Sequence, residues 1–143
     1  MINEHIKGTP KPQPRPRACS RNGKAFIYNA ESDAMRDWKF AIDEVMSRHT
    51  DKKLKGAISV TLEFYMPRPK SQYRTGKYSH LLKDDAPVDH LSRCDVDNLT
   101  KTVLDQITKS GYWLDDGQVV ELKVSKQWAD IFDAGCRIKT EVL

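Results

Sequence analysis

The chain has 143 residues, with 24 Lys or Arg against 20 Asp or Glu and a formal net charge of +4. That length supports one buried core and not two, and no apolar run approaches the ~18 residues of a membrane-crossing helix, which excludes an integral helical membrane protein. Three widely spaced cysteines (Cys19, Cys94, Cys136) give neither a CxxC pair nor a disulfide framework, so structural zinc is not expected. With no apolar secretory segment near Met1, a reducing cytoplasm is the expected compartment.

Charge is segregated along the chain. Residues 1–24 carry a net +5, 25–51 a net −3, 52–83 a net +7 and 84–116 a net −5, and 117–143 balance. Basic blocks suggest a polyanionic partner. A dense acidic cluster inside such a protein would repel that partner unless its carboxylates bind metal.

Residues 9–17 read Thr-Pro-Lys-Pro-Gln-Pro-Arg-Pro-Arg. Alternate prolines fix φ and remove donors, which predicts an extended arm and excludes a central strand. The arm is read as a surface or edge segment, as a basic arm placing Lys11, Arg15 and Arg17 on phosphates, or as a ligand for a partner protein. An Asn22-Gly23 turn signal precedes a short strand at residues 24–28. Ala34, Met35, Trp38, Ala41, Ile42, Val45 and Met46 recur at helical spacing, with Asn29 or Ser32 available as the cap.

Over residues 57–66, Ile58, Val60, Leu62 and Phe64 alternate with polar positions, as in a half-buried strand. A loop follows over residues 67–92. Its first part holds Pro67, Pro69, Gly76 and the cations Arg68, Lys70, Arg74 and Lys77. Tyr73 and Tyr78 lie among these charges, a composition suited to backbone contact and base stacking, or simply to a solvated loop. Leu99, Val103, Leu104 and Ile107 predict a helix over 97–109, stopped by Gly111. Val120, Leu122 and Val124 predict a strand over 118–126, and Cys136, Ile138, Thr140 and Val142 share one face of a last strand. Residues 1–143 therefore read as a single small α+β domain, a mixed sheet packed with two main helices.

The acidic residues with spacing suited to chemistry are Asp95, Asp97, Asp105, Asp115 and Asp116. On extended backbone Asp95 and Asp97 point the same way. If Asp97 opens the helix, Asp97, Lys101 and Asp105 form one stripe. Mg²⁺ takes a few carboxylates in octahedral geometry and assists phosphodiester hydrolysis, and a lysine beside it can steady phosphate charge. The same residues also fit a helix cap, an ordinary i, i+4 ion pair and an Asp-Asp-Gly turn.

The run Asp95-Val96-Asp97-Asn98-Leu99-x-Lys101-x-x-x-Asp105, followed by Gly111-Tyr112-Trp113-Leu114-Asp115-Asp116-x-Gln118-Val119-Val120, resembles the RusA-type Holliday junction resolvases. The Pro- and Arg-rich start is similar to phage or prophage members. The resemblance implies a homodimeric, Mg²⁺-dependent endodeoxyribonuclease, with one or two ions per subunit and Mn²⁺ as a substitute. It would resolve four-way DNA junctions by paired symmetric nicks that leave 5′-phosphate and 3′-hydroxyl ends. Asp95, Asp97 and Asp116 match the family's catalytic, metal-binding carboxylates, with Asp115 second to Asp116, and Lys101 matches its lysine. Asp105 is assigned a structural role.

Lys11, Arg15, Arg17, Arg68, Lys70, Arg74, Lys77 and Arg93 are the expected DNA contacts, and no membrane partner is expected. Arg93-Cys94 stands where many members have Lys-Pro, which predicts a looser approach to Asp95. His90 is read as a solvated loop histidine or as one facing the site. Alternative functions are a metal-dependent nuclease of flaps or other branched DNA, and a non-catalytic branched-DNA binding module.

Overall fold

The computed structural model describes residues 1–14, 16–29, 31–130 and 133–143, and the side chains of these except at positions 17, 28 and 29. In chain order the elements are β1 (Ile2–Lys7), β2 (Pro16–Arg21), β3 (Lys24–Asn29), α1 (Asp33–Met46), β4 (Ile58–Met66), α2 (Val96–Ser110), β5 (Val119–Trp128) and β6 (Gly135–Val142). The main sheet has the order β1-β6-β4-β5, and β2 and β3 form a separate hairpin. β6 runs antiparallel to both β1 and β4, whereas β4 and β5 are parallel. Parallel neighbours need a long crossover, and the loop after β4 together with α2 supplies it. The mixed sheet with two helices is the predicted α+β arrangement. Among the described residues no helix is long and apolar enough to cross a membrane.

Ile58, Val60, Leu62 and Phe64 are fully buried on the helix-facing side of β4, against Trp38, Ile42 and Met46 of α1 and Leu99, Val103 and Ile107 of α2. Each such side chain contributes about 1.5–3 kcal/mol relative to exposure. Ser32 caps α1, its Oγ accepting from Met35 N at 3.1 Å. Gly111, with φ 87°, ends α2 in a left-handed turn, which a residue lacking Cβ adopts at little cost. Asn22 and Gly23 both have positive φ, which matches the twist of the β2–β3 hairpin.

Besides β2, for which the sequence reading has no counterpart, two elements differ from the sequence expectation. β1 was not predicted, because its helix-facing side reads Ile2, Glu4, Ile6. Glu4 breaks the apolar alternation, and its Oε1 lies 3.0 Å from His49 Nε2. The second is residues 67–92, which fold on themselves instead of forming an open loop. They include two short 3₁₀ turns (Lys70–Gln72, Gly76–Tyr78) and a Tyr73–Leu82 bridge.

Arg68 organises that fold. Its Nε and one Nη donate to Asp130 at 2.6 and 2.9 Å, and the other Nη donates to Gln72 Oε1 and Pro87 O. Its side chain is 3% exposed, and the guanidinium lies 4.9 Å over the Trp128 ring. These bonds hold the Asp130 carboxyl below its usual range. Asp130 is 42% exposed, so Arg68→Met should cost about 1–2 kcal/mol, less than the ~3–5 kcal/mol of a fully buried pair. Thermal unfolding checks the loss, and faster proteolysis within residues 70–83 should accompany it.

Candidate active site

α2 starts one residue earlier than the spacing suggested. Asp95 is its N-cap residue, on extended backbone at φ −67° and ψ 142°. Its carbonyl accepts from Leu99 N at 3.0 Å, but its carboxylate makes no capping bond. Asp97 lies inside the first turn, where the helix dipole favours a negative charge.

Because extended geometry ends at Asp95 and the helix turns about 100° per residue from there, the two carboxylates are not aligned as on a strand. Asp95 lines a depression with Pro12, Gln13, Pro14, Arg93, Cys94 and Asn98. Asp97 lines a groove of about 390 Å³ between α2 and β5, with Lys101, Asp105 and Asp116. The predicted stripe of Asp97, Lys101 and Asp105 is therefore present along one wall. Val96, Thr100, Leu104, Leu122 and Val124 complete the lining. Leu122 is half exposed because β5 is the sheet's edge strand.

The Asp115-Asp116 pair divides its roles. Asp115 caps a 3₁₀ turn (Asp116–Gln118), its Oδ1 accepting from Gly117 N at 3.0 Å. Gln118 Oε1 accepts from Leu114 N, and its Nε2 donates to the Leu54 and Gly56 carbonyls, tying the turn to the start of β4. Asp116 faces the groove. Its carboxyl is raised by the hydrogen bond it shares with Asp115, by partial burial, and by the charges of Asp115 and Asp105. Asp115 is lowered, chiefly by the Gly117 N–H and then by Asp116. Asp105 thus contributes to the field at Asp116 as well as to the helix.

Among the described residues, no three His, Cys, Asp or Glu side chains are close enough to hold one ion. The donors at the groove are carboxylate oxygens, the hard ligands that Mg²⁺ takes. The crowding that raises Asp116 is negative charge that a cation would offset. In donor chemistry the site fits a hard divalent ion.

The approach to Asp95 is pinned, contrary to the looser one predicted from Arg93-Cys94. Cys94 has φ +91°, a conformation closed to proline, whose ring fixes φ near −65°. Lys126 Nζ on β5 donates to Ser92 O at 3.1 Å and Cys94 O at 3.2 Å. The sequence reading missed Lys126, although a lysine closing the stripe Val120, Leu122, Val124 was a legible signal. The arm also contributes. Gln13 N donates to Asn98 O at 3.1 Å, and Thr102 Oγ1 donates to Gln13 Oε1 at 3.4 Å, so residues 12–14 lie against α2.

His90 is neither solvated nor in the groove. It is 6% exposed, and its ring lies 4.4 Å from that of Trp128. Burial and then the charge of Lys126 hold it below its usual pKa.

Of the expected DNA contacts, Lys70, Lys77 and Arg93 are exposed and Lys11 is half-buried. Arg74 is 45% exposed and already bonded to Asp84 at 3.0 Å. Arg68 is corrected: its donors are spent inside the protein, so it shapes the loop and offers no charge to a phosphate. Arg15 and the side chain of Arg17 lie outside the described residues.

The groove thus brings Asp97, Lys101, Asp105 and Asp116 together beside α2. The profile of the family described as "Endodeoxyribonuclease RusA" matches residues 7–141, and the chain belongs to that family. It is 32% identical over 126 residues to the uncharacterized protein YqaN of Bacillus subtilis (strain 168), covering 87% of this chain and 86% of that protein. A shorter match, 56% identical over 34 residues, is to the crossover junction endodeoxyribonuclease RusA of Escherichia coli (strain K12). It spans 24% of this chain and 28% of that protein, as does the match to the same-named protein of Enterobacteria phage 82.

Proposed function

We propose that this protein is a Mg²⁺-dependent endodeoxyribonuclease that resolves four-way DNA junctions, acting as a homodimer that nicks two opposed strands symmetrically. The observation that carries this reading is the groove holding Asp97, Lys101 and Asp116, in a chain of the RusA family. Asp97 and Asp116, which line the groove, would hold the metal, with Asp95 turning toward them from its own depression when the ion binds. Bound Mg²⁺ would offset phosphodiester charge and polarise the P–O bond. Water attacks phosphorus in line and the 3′ oxygen leaves, so the products carry a 5′-phosphate and a 3′-hydroxyl.

Lys101 steadies charge on the non-bridging oxygens, and Asp115 holds the turn that aims Asp116. Lys11, Lys70, Lys77 and Arg93 bind backbone phosphates. Two sites held at fixed spacing by a two-fold axis would favour a four-way junction over a duplex.

The test is a nicking assay with Mg²⁺ on a four-way junction, a flap and a linear duplex of matched sequence. Paired nicks on the junction alone support resolvase action. Equal cutting of junction and flap would leave a general branched-DNA nuclease. Tight junction binding with no cutting under Mg²⁺ or Mn²⁺ would leave a binding module. Junction affinity should fall about tenfold or more between 50 and 200 mM salt, because each neutralised phosphate releases counterions. Titrations at several salt concentrations check this.

A further inference from the structure

We propose that Lys126 is a positioning residue for Asp95, setting the metal affinity of the site without touching substrate. The inference rests on the reading of Asp95 as a metal ligand that reaches the groove from its own depression when an ion binds. Three observations converge on it. First, one ammonium group bonds two backbone carbonyls, Ser92 O and Cys94 O, on the segment that delivers Asp95. Second, Cys94, one of these two residues, holds φ +91°, which an L side chain adopts only when its surroundings impose it. Third, Asp95 closes α2 through its carbonyl and leaves its carboxylate out of the cap.

A capping carboxylate would be fixed by the helix N–H groups. Here that fixing is absent, so the direction of the Asp95 side chain depends on the backbone behind it. Lys126 holds that backbone. Its own strand is held in turn: Lys126 pairs in register with Phe64 of the core. Two residues on, Trp128 packs against Arg68 and His90 and donates its Nε1–H to Asp89 O. The lysine therefore transmits a fixed strand position to the first carboxylate. Outer partners of metal ligands act in this way, orienting a ligand they do not replace.

The experiment measures binding of Mn²⁺ alone to the metal-free full chain by paramagnetic resonance of the free ion. The variants are Lys126→Met, Lys126→Arg, Asp95→Asn and the Lys126→Met/Asp95→Asn pair. Lys126→Met, similar in length but without donors, should weaken Mn²⁺ about tenfold and leave junction affinity in EDTA within about twofold, since Lys126 is not placed as a phosphate contact. Lys126→Arg should retain most of the affinity, because a guanidinium also reaches two carbonyls. The double variant should be no weaker than Asp95→Asn, because the lysine acts through that residue. Cys94→Gly, which tolerates positive φ, should recover part of the Lys126→Met loss and keeps the test available if that variant unfolds.

Additive losses in the double variant would overturn the proposal. So would Lys126→Met that binds Mn²⁺ normally but loses junction affinity, since Lys126 would then be a DNA contact. Wild-type Mn²⁺ affinity in Asp95→Asn would instead sink the ligand assignment on which the inference stands.

Discussion

Asp116→Asn should slow junction cleavage by at least about a thousandfold, ~4 kcal/mol of barrier, while making the metal-free protein more stable at neutral pH. The two effects have one origin. Asp116 is pushed above the usual carboxylate range by its contact with Asp115, by partial burial and by the charges of Asp115 and Asp105. Ionising it in the folded state is therefore harder than in the unfolded chain. A carboxyl raised on folding favours the native state below its unfolded pKa, and that advantage is lost as pH climbs through the folded value.

At pH 7 the wild-type protein carries the full repulsion. Asparagine removes the charge, and its amide can donate the hydrogen bond to Asp115 at every pH. Melting in EDTA should thus show Asp116→Asn above wild type at pH 7, with the gap closing toward pH 3. A variant that melts lower than wild type at pH 7 would mean that the acid cluster is not a repulsive one. Near-normal cleavage would remove Asp116 from the metal-binding set.

The largest loss of stability is expected at Gly135. A Cβ there would lie 2.0 Å from the backbone oxygen of Ile6, and φ is +151°. Backbone, not a flexible side-chain tip, occupies the space, so Gly135→Ala forces β1 and β6 apart where Lys7 pairs with Gly135. The cost should be about 3 kcal/mol or more, a large share of the ~5–15 kcal/mol that holds a domain of this kind together. Gly117→Ala is the matched control, since its Cβ would meet Asp115 Oδ1 at an ordinary 3.6 Å. Urea unfolding of both variants decides the matter. Equal midpoints would show that the β1–β6 pairing relaxes without cost.

What could be read from the sequence followed periodicity. Ile58, Val60, Leu62 and Phe64 announced β4, and the three- and four-residue spacing of Met35, Trp38, Ile42, Val45 and Met46 announced α1, because burial on one face is what those patterns record. Asp97, Lys101 and Asp105 were placed on one stripe by the same helical arithmetic. What failed depended on partners distant in the chain. Glu4 hides β1 because its company is His49. His90 looks like a loop residue until Trp128 is set beside it. Arg68 reads as one more loop cation until Asp130, 62 positions on, takes its donors. The helix start at Val96, which separates Asp95 from Asp97, turned on a single residue's backbone, and residue spacing does not resolve that.

β6 is made after every other strand, yet it lies between β1 and β4. During synthesis β1 has no partner in the main sheet and β4 offers an open edge on that side. Within the main sheet only the β4–α2–β5 unit can assemble early. The sheet therefore closes as one late insertion between distant segments, a kind of pairing that forms slowly. The nascent protein passes through a stage with two unpaired edges, and its yield in a cell will depend on what shields them.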